Sequence, residues 1–204
     1  MDTFVCVNNL YMVKRIVVFD FDGTITKEDS LFGFLKFVFG FQFYLKLISI
    51  SHNLLGFKLG LINNHQAKQI LFSHFFRGWN IDDFNIICRN YIKQIKVRDK
   101  AMATIRGHLS SGDYVLIISA SFENLIKPWA SMNNIRTVLG TRIEVEDKKI
   151  TGNFLGKNCY GIEKVYRLLK LFPEKTNFYL IAYGDSEGDK ELLEYANEAY
   201  KKLF

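Results

Sequence analysis

Three short, mostly apolar runs stand out along the chain, at residues 15–19, 114–119 and 178–184. Each run is short and rich in β-branched or aromatic residues, which is the pattern of a strand buried on both faces. A weaker pattern of the same kind lies around residues 136–139. These runs predict the strands of a buried sheet.

Helix-like stretches alternate with the predicted strands. Apolar residues recur at helical spacing within residues 97–109, 122–132, 161–171 and 188–203. This alternation predicts an α/β fold: a Rossmann-like, doubly wound and mostly parallel sheet covered on both faces. Residues 141–154, with the sequence DKK at their centre, predict a small β-hairpin appended to the sheet.

The long stretch from residue 30 to residue 96 does not follow this alternation. It is helix-like throughout, so we predict an inserted helical cap domain at 30–96 and a core domain formed by 1–29 and 97–204. Its first half is strongly aromatic, but Lys36, Lys46 and Lys58 leave no run of about 18 uncharged apolar residues to span a bilayer. Two interpretations stay open. The stretch lies on a membrane surface, or it packs on neighbouring helices or on a dimer partner.

Composition narrows the class of protein. The chain has 204 residues, of which 49% are hydrophobic, enough for one domain with a sizeable core. Its three cysteines, Cys6, Cys88 and Cys159, match neither a disulfide framework nor a zinc site, which favours the reducing cytoplasm. No signal peptide is recognisable, and the sequence leaves open whether the chain starts at Met1 or at Met12.

The net charge of +6 attracts anions in general, including phosphates, acidic lipids and nucleic acids. The lysines are scattered, however, and the sequence contains no arginine-rich tract and no nucleic-acid-binding motif. We therefore expect no nucleic-acid partner. The charge by itself is also typical of a solvated basic surface.

The sequence DFDGT, residues 20–24, directly follows the first predicted strand. Ligands bind at this edge of a parallel sheet. Asp20 and Asp22 repel each other there unless a cation or separate roles compensate for their charges, so the pair predicts a metal. The alternatives are an acidic turn without function and a calcium-binding loop. The calcium loop is excluded because it requires glycine where Ile25 stands and glutamate where Leu31 stands.

Polar groups also follow the other predicted strands. Ser119 ends the second strand, and the helix start after the sequence SAS presents backbone N–H groups that suit a phosphate oxygen. Lys164 lies in the first turn of a predicted helix, and the sequence GDSEGD places Asp185 and Asp189 at the same edge of the sheet. Each signal alone is typical of a helix cap or of a solvated lysine, and only their combination indicates a site.

In this order, the four groups resemble the motifs of the haloacid dehalogenase-like superfamily of phosphatases, and the resemblance covers nearly the whole chain. The stretches NCYGIEKVYRL (158–168) and AYGDSEGDKELLEYANEAY (182–200) are similar to the branch that includes phosphoserine phosphatases and, more closely, phosphatidylglycerophosphatase C. The resemblance implies a phosphatase whose catalytic core carries all four motifs and whose inserted cap governs substrate choice.

The resemblance also implies roles for individual residues. Asp20 would be the nucleophile that forms an aspartyl-phosphate, which water then hydrolyses. Asp22 would be the general acid and base. Lys164 would offset the charge of the approaching phosphate, and Ser119 would hold its oxygens.

A magnesium ion is the cofactor that the resemblance implies. Its ligands would be the carboxylates of Asp20 and Asp185 and the backbone carbonyl of Asp22. Asp189 would lie behind these ligands or beside Lys164.

The substrate is less clearly indicated. Asp29 stands near the position at which phosphoserine phosphatases hold the substrate amine, and Arg77 is a candidate for binding a carboxylate. The aromatic residues of 31–62 suit an amphiphile better, so the favoured substrate is a lipid phosphate such as phosphatidylglycerophosphate, met at the inner face of the membrane. The alternatives are a soluble phosphoserine-like metabolite and a non-catalytic protein that binds a membrane or a partner. Oligomeric state stays open.

Overall fold

A computed structural model describes residues 14–204 of the chain. Cys6 and the choice between Met1 and Met12 as the start lie outside the described residues. The strands are β1 (Lys14–Phe19), β2 (Tyr114–Phe122), β3 (Thr137–Thr141), β4 (Ile143–Glu146), β5 (Lys149–Phe154), β6 (Phe178–Gly184) and β7 (Glu198–Lys201). The α-helices are α1 (Ser30–Phe39), α2 (Gln42–Ser49), α3 (Ser51–Lys58), α4 (Asn64–Phe76), α5 (Ile81–Tyr91), α6 (Asp99–Ser110), α7 (Glu123–Met132), α8 (Ile162–Leu171) and α9 (Lys190–Tyr195).

Five strands form one parallel sheet in the order β3-β2-β1-β6-β7, with β1 at its centre. Side chains along each strand point alternately to the two faces. On one face, Val17 and Phe19 of β1 pack into a hydrophobic cluster with residues of helices inserted between β1 and β2 (α1, α2, α4 and α5) and of α6 and α7. Ile16 and Val18 pack on the other face with α8 and α9. Because helices cover both faces, the predicted doubly wound α/β fold is confirmed.

The predicted hairpin is formed by β4 and β5. Its two turn residues, Asp147 and Lys148, have φ angles of 46° and 63°, the positive values that a type I′ turn requires. Helix α4 packs closely along β5. Gly152 of β5 has no room for a side chain, since a Cβ atom there would lie 2.4 Å from the Oγ atom of Ser73 in α4. The hairpin thereby connects the inserted helices to the rest of the fold.

Helices α1 to α5 lie between β1 and β2, where the long insertion was predicted. They share one hydrophobic cluster with the sheet. The ring of Phe72 in α4 packs against that of Phe122 in β2 with centroids 4.6 Å apart, and Phe34 of α1 is buried in the same cluster as Val17. The division into two domains at residues 30 and 96 stays a prediction.

The prediction of one helix over residues 188–203 is wrong. Helix α9 is short, and β7 follows it as the fifth parallel strand, paired with β6. The Asn197 N–H donates to the carbonyl of Leu180, and the Asn197 side chain accepts from the Leu180 N–H, both at 2.9 Å. Tyr200 stacks on Tyr183 with ring centroids 4.8 Å apart. These contacts at the sheet edge outweigh the helical spacing of the apolar residues.

Candidate active site

Asp20 and Asp22 follow the carboxyl end of the central strand. The Asp20 N–H donates to the carbonyl of Tyr183 at 2.9 Å, which extends the strand pairing by one residue. The chain then turns, and the Ile25 N–H donates to the carbonyl of Phe21 at 2.9 Å. Both aspartates line a cavity of about 550 Å³ between the sheet edge and the inserted helices. Ser119, Lys164 and Asp185 line the same cavity.

Lys164 is a buried cation, with only 2% of its surface exposed. Its Nζ donates to Oδ1 of Asp20 at 2.7 Å and to Oδ1 of Asp189 at 2.5 Å. Burial alone would lower the pKa of Lys164, but the two carboxylates outweigh it and hold that pKa above its ordinary value. The alternative of a solvated lysine at a helix start therefore does not hold.

The carboxylate of Asp189 is buried and fully occupied by donors. Its Oδ1 accepts from Lys164, and its Oδ2 accepts from the Asp185 N–H, the Ser186 N–H and the Ser186 hydroxyl at 3.1, 3.0 and 2.9 Å. Burial would raise the pKa of Asp189, but Lys164 and these donors hold it below its ordinary value. Asp185 has a weaker contact, from the Thr24 hydroxyl at 3.4 Å. Asp189 thus holds the loop in place while Asp185 faces the cavity.

The acidic cluster fits a divalent cation. One oxygen each from Asp20, Asp185 and Asp189 lie within 4.8 Å of one another. Since Asp189 is occupied, Asp20 and Asp185 are the carboxylates of this cluster that could hold an ion. Burial raises the pKa of Asp20 to about 6 despite the charge of Lys164, and burial followed by the charge of Asp189 raises that of Asp185. A cation would keep both carboxylates ionised, and hard oxygen donors suit Mg²⁺.

A chain of hydrogen bonds connects Asp22 to the end of β2. Oδ1 of Asp22 accepts from the Ser30 N–H at 2.8 Å, the Ser30 and Ser121 hydroxyls are 2.7 Å apart, and the Ser121 N–H donates to Oγ of Ser119 at 3.1 Å. Burial, followed by the charge of Asp29, raises the pKa of Asp22 to about 7. Such a carboxyl is suited to carry a proton near neutral pH.

The sequence SAS differs in detail from its prediction. Strand β2 continues past Ser119 to Phe122, and α7 begins only at Glu123. The Ser121 N–H lies within the strand and donates to Oγ of Ser119. The side chain of Ser119 stays at the cavity.

The structure separates the two residues predicted to bind substrate. Asp29 lines the cavity and also caps α1, where its carboxylate accepts from the Phe32 N–H at 2.9 Å. Arg77 is exposed at the C-terminal end of α4 and does not line the cavity. The residues of α4 that do line it lie toward the other end of the helix.

Lys68 of α4 is a cation on the inserted side of the cavity that was not predicted from the sequence. Its Nζ donates to the carbonyl of Ala120 at 2.5 Å, directly beside Ser119. Burial lowers the pKa of Lys68, and the charges of Asp22 and Asp29 partly oppose this effect. No motif marks Lys68, and only its place on an inserted helix indicates a role. The apolar lining around it consists of Leu31, Phe32, Phe57 and Leu71.

The chain is similar in sequence and in fold to known proteins. Residues 17–194 match the family described as haloacid dehalogenase-like hydrolase. Protein CicA of Caulobacter vibrioides is 30% identical over 193 residues, which cover 93% of this chain and 86% of CicA. A probable phosphatase of Mycobacterium tuberculosis is 27% identical over 195 residues, covering 91% and 68% of the two chains. A solved substrate-bound phosphoserine phosphatase shares the fold, with a TM-score of 0.65 at 20% identity over 92% of this chain and 85% of the other.

Proposed function

The chain belongs to the haloacid dehalogenase-like hydrolase family and is a phosphatase, and we propose that it hydrolyses a phosphomonoester through a phosphorylated Asp20, with Mg²⁺ as cofactor. The observation that carries this proposal is the position of the Asp20 carboxylate. It lies at the cavity end of the central strand, bonded to the buried Lys164 and close to Asp185.

In the first step, a carboxylate oxygen of Asp20 attacks phosphorus while Asp22 gives its proton to the leaving oxygen. A phosphate dianion is repelled by Asp20. Two unit charges of like sign at about 4 Å cost about 4 kcal/mol at an effective dielectric constant of about 20, or roughly a thousandfold in rate. Lys164 offsets this repulsion, and Asp189 keeps Lys164 in place.

In the second step, water attacks the phosphorus bound to Asp20 and gives a proton to Asp22. The bond between phosphorus and the Asp20 oxygen breaks, which releases inorganic phosphate and restores both carboxyls. The Ser119 hydroxyl, fixed by the Ser121 N–H, is placed to orient a phosphate oxygen. Mg²⁺, when bound, neutralises negative charge on the phosphate. The carboxylates of Asp20 and Asp185 and the backbone carbonyl of Asp22 would hold it.

The inserted side of the cavity supports an amphiphilic substrate. Leu31, Phe32, Phe57 and Leu71 offer an apolar path, and Lys68 offers a cation near the reacting groups. A phosphorylated glycerolipid such as phosphatidylglycerophosphate has matching parts, namely a terminal phosphate, a second anionic phosphate and acyl chains. A lipid substrate would place the enzyme at the inner face of a membrane.

A soluble phosphoserine-like substrate is the second candidate, supported by Asp29. Its carboxylate lines the cavity and suits a substrate amine. The apolar lining has no counterpart on so polar a molecule, so the lipid phosphate is favoured.

Phosphate release by the purified chain tests the proposal. The substrates are phosphatidylglycerophosphate dispersed in detergent, phosphoserine and a generic aryl phosphate, each with Mg²⁺ and with chelator. We expect release from the lipid and the aryl ester only with Mg²⁺, and a hydroxylamine-sensitive label on Asp20 from radioactive substrate. A preference for phosphoserine would overturn the lipid substrate. Release without a label on Asp20 would contradict the mechanism, and no release from any ester would favour a non-catalytic protein.

A further inference from the structure

Helix α2 exposes apolar side chains along one side. Phe41, Tyr44, Leu45 and Ile48 follow the spacing of a single helix face, and Phe41 and Ile48 are 75% and 69% exposed. The opposite side of α2 packs into the core through Phe43. An amphipathic helix needs only one apolar face to pack, so the outer face of α2 lacks an explanation within the fold.

Helix α3 follows α2 directly in the chain and also exposes apolar side chains. Leu55 and the residue that caps the helix, Leu59, are four positions apart and both exposed. We call the outer face of α2 and these two residues the apolar surface. It consists of Phe41, Tyr44, Leu45, Ile48, Leu55 and Leu59. Exposed apolar groups of this extent mark contact with a partner or a membrane.

The apolar surface is connected to the mouth of the cavity. Phe32 lines the cavity, and its ring contacts that of Phe43, with centroids 6.3 Å apart. The ring of Phe43 in turn contacts that of Tyr44 at 5.1 Å. Phe57 of α3 also lines the cavity and is 41% exposed. Because Phe57 lies between Leu55 and Leu59 in the chain and lines the cavity, a molecule seated on the apolar surface would lie close to the cavity.

Charge indicates what that molecule is. From Ser30 to Ile81 the chain has four lysines and one arginine but no aspartate or glutamate. Lys36 and Lys58 are exposed on α1 and α3, and Lys46 of α2 lies 5.2 Å from the centroid of a phenylalanine ring. Cations beside exposed aromatic and aliphatic side chains match an anionic lipid surface. A second copy of this chain would bring like charges together, which disfavours it as the partner.

We propose that the apolar surface docks this enzyme on an anionic bilayer, with α2 and α3 in the interface and the cavity mouth facing the headgroups. The inference rests on the proposed lipid-phosphate substrate, because docking would deliver that substrate to Asp20. Within residues 14–204, no single helix has the length and apolarity to cross a bilayer. Helices α1 and α2 have that length and apolarity only when they are taken together, and they are bent by 116° relative to each other.

Co-sedimentation with vesicles tests the docking. The Asp20→Asn variant of the full chain serves as the reference, since it keeps the apolar surface but would not consume lipid. We expect it to bind phosphatidylcholine vesicles containing phosphatidylglycerol at least about tenfold more tightly than phosphatidylcholine alone, and to be released by salt.

Matched substitutions locate the contact. Ile48→Glu, introduced into the Asp20→Asn reference variant, is expected to weaken vesicle binding about tenfold or more. Met132→Glu is the control, because Met132 is 68% exposed, nearly as much as Ile48, but belongs to α7. Lys58→Gln is expected to weaken binding about fivefold, only with vesicles that contain phosphatidylglycerol. Circular dichroism checks that each variant is folded.

Two results would overturn the docking: no vesicle binding, or equal losses from Ile48→Glu and Met132→Glu. A dimer in sedimentation velocity that Ile48→Glu dissociates, without vesicle binding, would assign the surface to a second copy.

Activity distinguishes docking from the proposed function. Failure of docking alone leaves hydrolysis of detergent-dispersed lipid phosphate intact. Vesicle binding without any hydrolysis of that lipid would remove the proposed substrate and leave docking standing.

Discussion

The two walls of the cavity are built in opposite ways. On the core wall, the buried Lys164 donates to the buried carboxylate of Asp20 and to that of Asp189 behind it. These residues lie at the ends of separate strands or the starts of helices. On the inserted wall, Phe32 and Phe57 are partly exposed side chains on helices that pack through aromatic contacts. A buried network of charges tolerates little change, whereas an apolar wall tolerates many sizes and shapes. The difference indicates that the reaction and the choice of substrate are separable.

This separation gives a general expectation for variants. A change on the core wall should reduce the turnover of every phosphomonoester, because all of them react at the same phosphorus position. A change on the inserted wall should alter the ranking of substrates and leave the reaction of a small aryl phosphate nearly intact. Proportional losses for all substrates from both walls would refute the separation.

The largest effect is expected for Asp20→Asn. An amide oxygen still accepts from Lys164, so the fold should be retained, but the proposed nucleophile is removed. We expect turnover of the aryl phosphate and of the lipid phosphate to fall by at least about a thousandfold. Asp147→Asn in the hairpin turn is the matched control, since asparagine also adopts the positive φ found there. Turnover at the wild-type rate would disprove the assignment of the nucleophile.

Lys164→Met is expected to lower both activity and stability. It leaves Asp20 and Asp189 as buried carboxylates without their cation, and breaking such a pair costs about 3–5 kcal/mol. Turnover should fall about a hundredfold or more for all substrates. The control is Lys127→Met, which removes a lysine from an exposed ion pair with Glu123 and should cost less than about 1 kcal/mol. Denaturant unfolding measures the free energy of unfolding of both variants. Equal losses of stability would contradict the role of Lys164 as a buried partner of Asp20 and Asp189.

The core wall was the more predictable of the two from sequence. Asp20 and Asp185 follow strands, Lys164 lies in the first turn of α8, and Ser119 lies near the carboxyl end of β2. Parallel strands bring their carboxyl ends to one edge. Their short-range patterns therefore carry long-range information, and the structure places all four at one cavity. What the patterns did not reveal is how the charges are shared, including the complete occupation of Asp189 by donors.

The inserted wall and the sheet edge were less predictable for a physical reason. Lys68 shares no motif with the other site residues, and its proximity to Ala120 depends on how α4 packs on the hairpin. Arg77, the predicted candidate for binding a carboxylate, lies beyond the cavity at the far end of the same helix. Strand β7 was read as helix because its pairing with β6 is a tertiary contact that no local pattern contains.

Lys68→Met is expected to affect the lipid substrate more than the aryl phosphate. The variant removes the cation that we propose binds the second anionic group of the lipid, so kcat/KM for detergent-dispersed lipid phosphate should fall about tenfold. The aryl ester lacks that group, so its kcat/KM should change less than about twofold. Lys68→Arg, which keeps the charge, should restore most of the loss. Equal losses for both substrates would instead assign Lys68 to the reaction itself.

The smallest effect is expected for Phe57→Ser, which tests whether the apolar lining contacts acyl chains. Phe57 is partly exposed at the cavity, so the substitution should leave stability nearly unchanged. Loss of one partly buried ring contact is worth about 1 kcal/mol, so kcat/KM for a long-chain lipid phosphate in detergent should fall about fivefold. A short-chain analogue should lose less, and the aryl phosphate nothing. Phe41→Ser is the control, because Phe41 is an exposed ring of the apolar surface that does not line the cavity, and in detergent its loss should change none of these rates. If chain length made no difference to the Phe57 variant, the apolar lining would have no part in substrate choice.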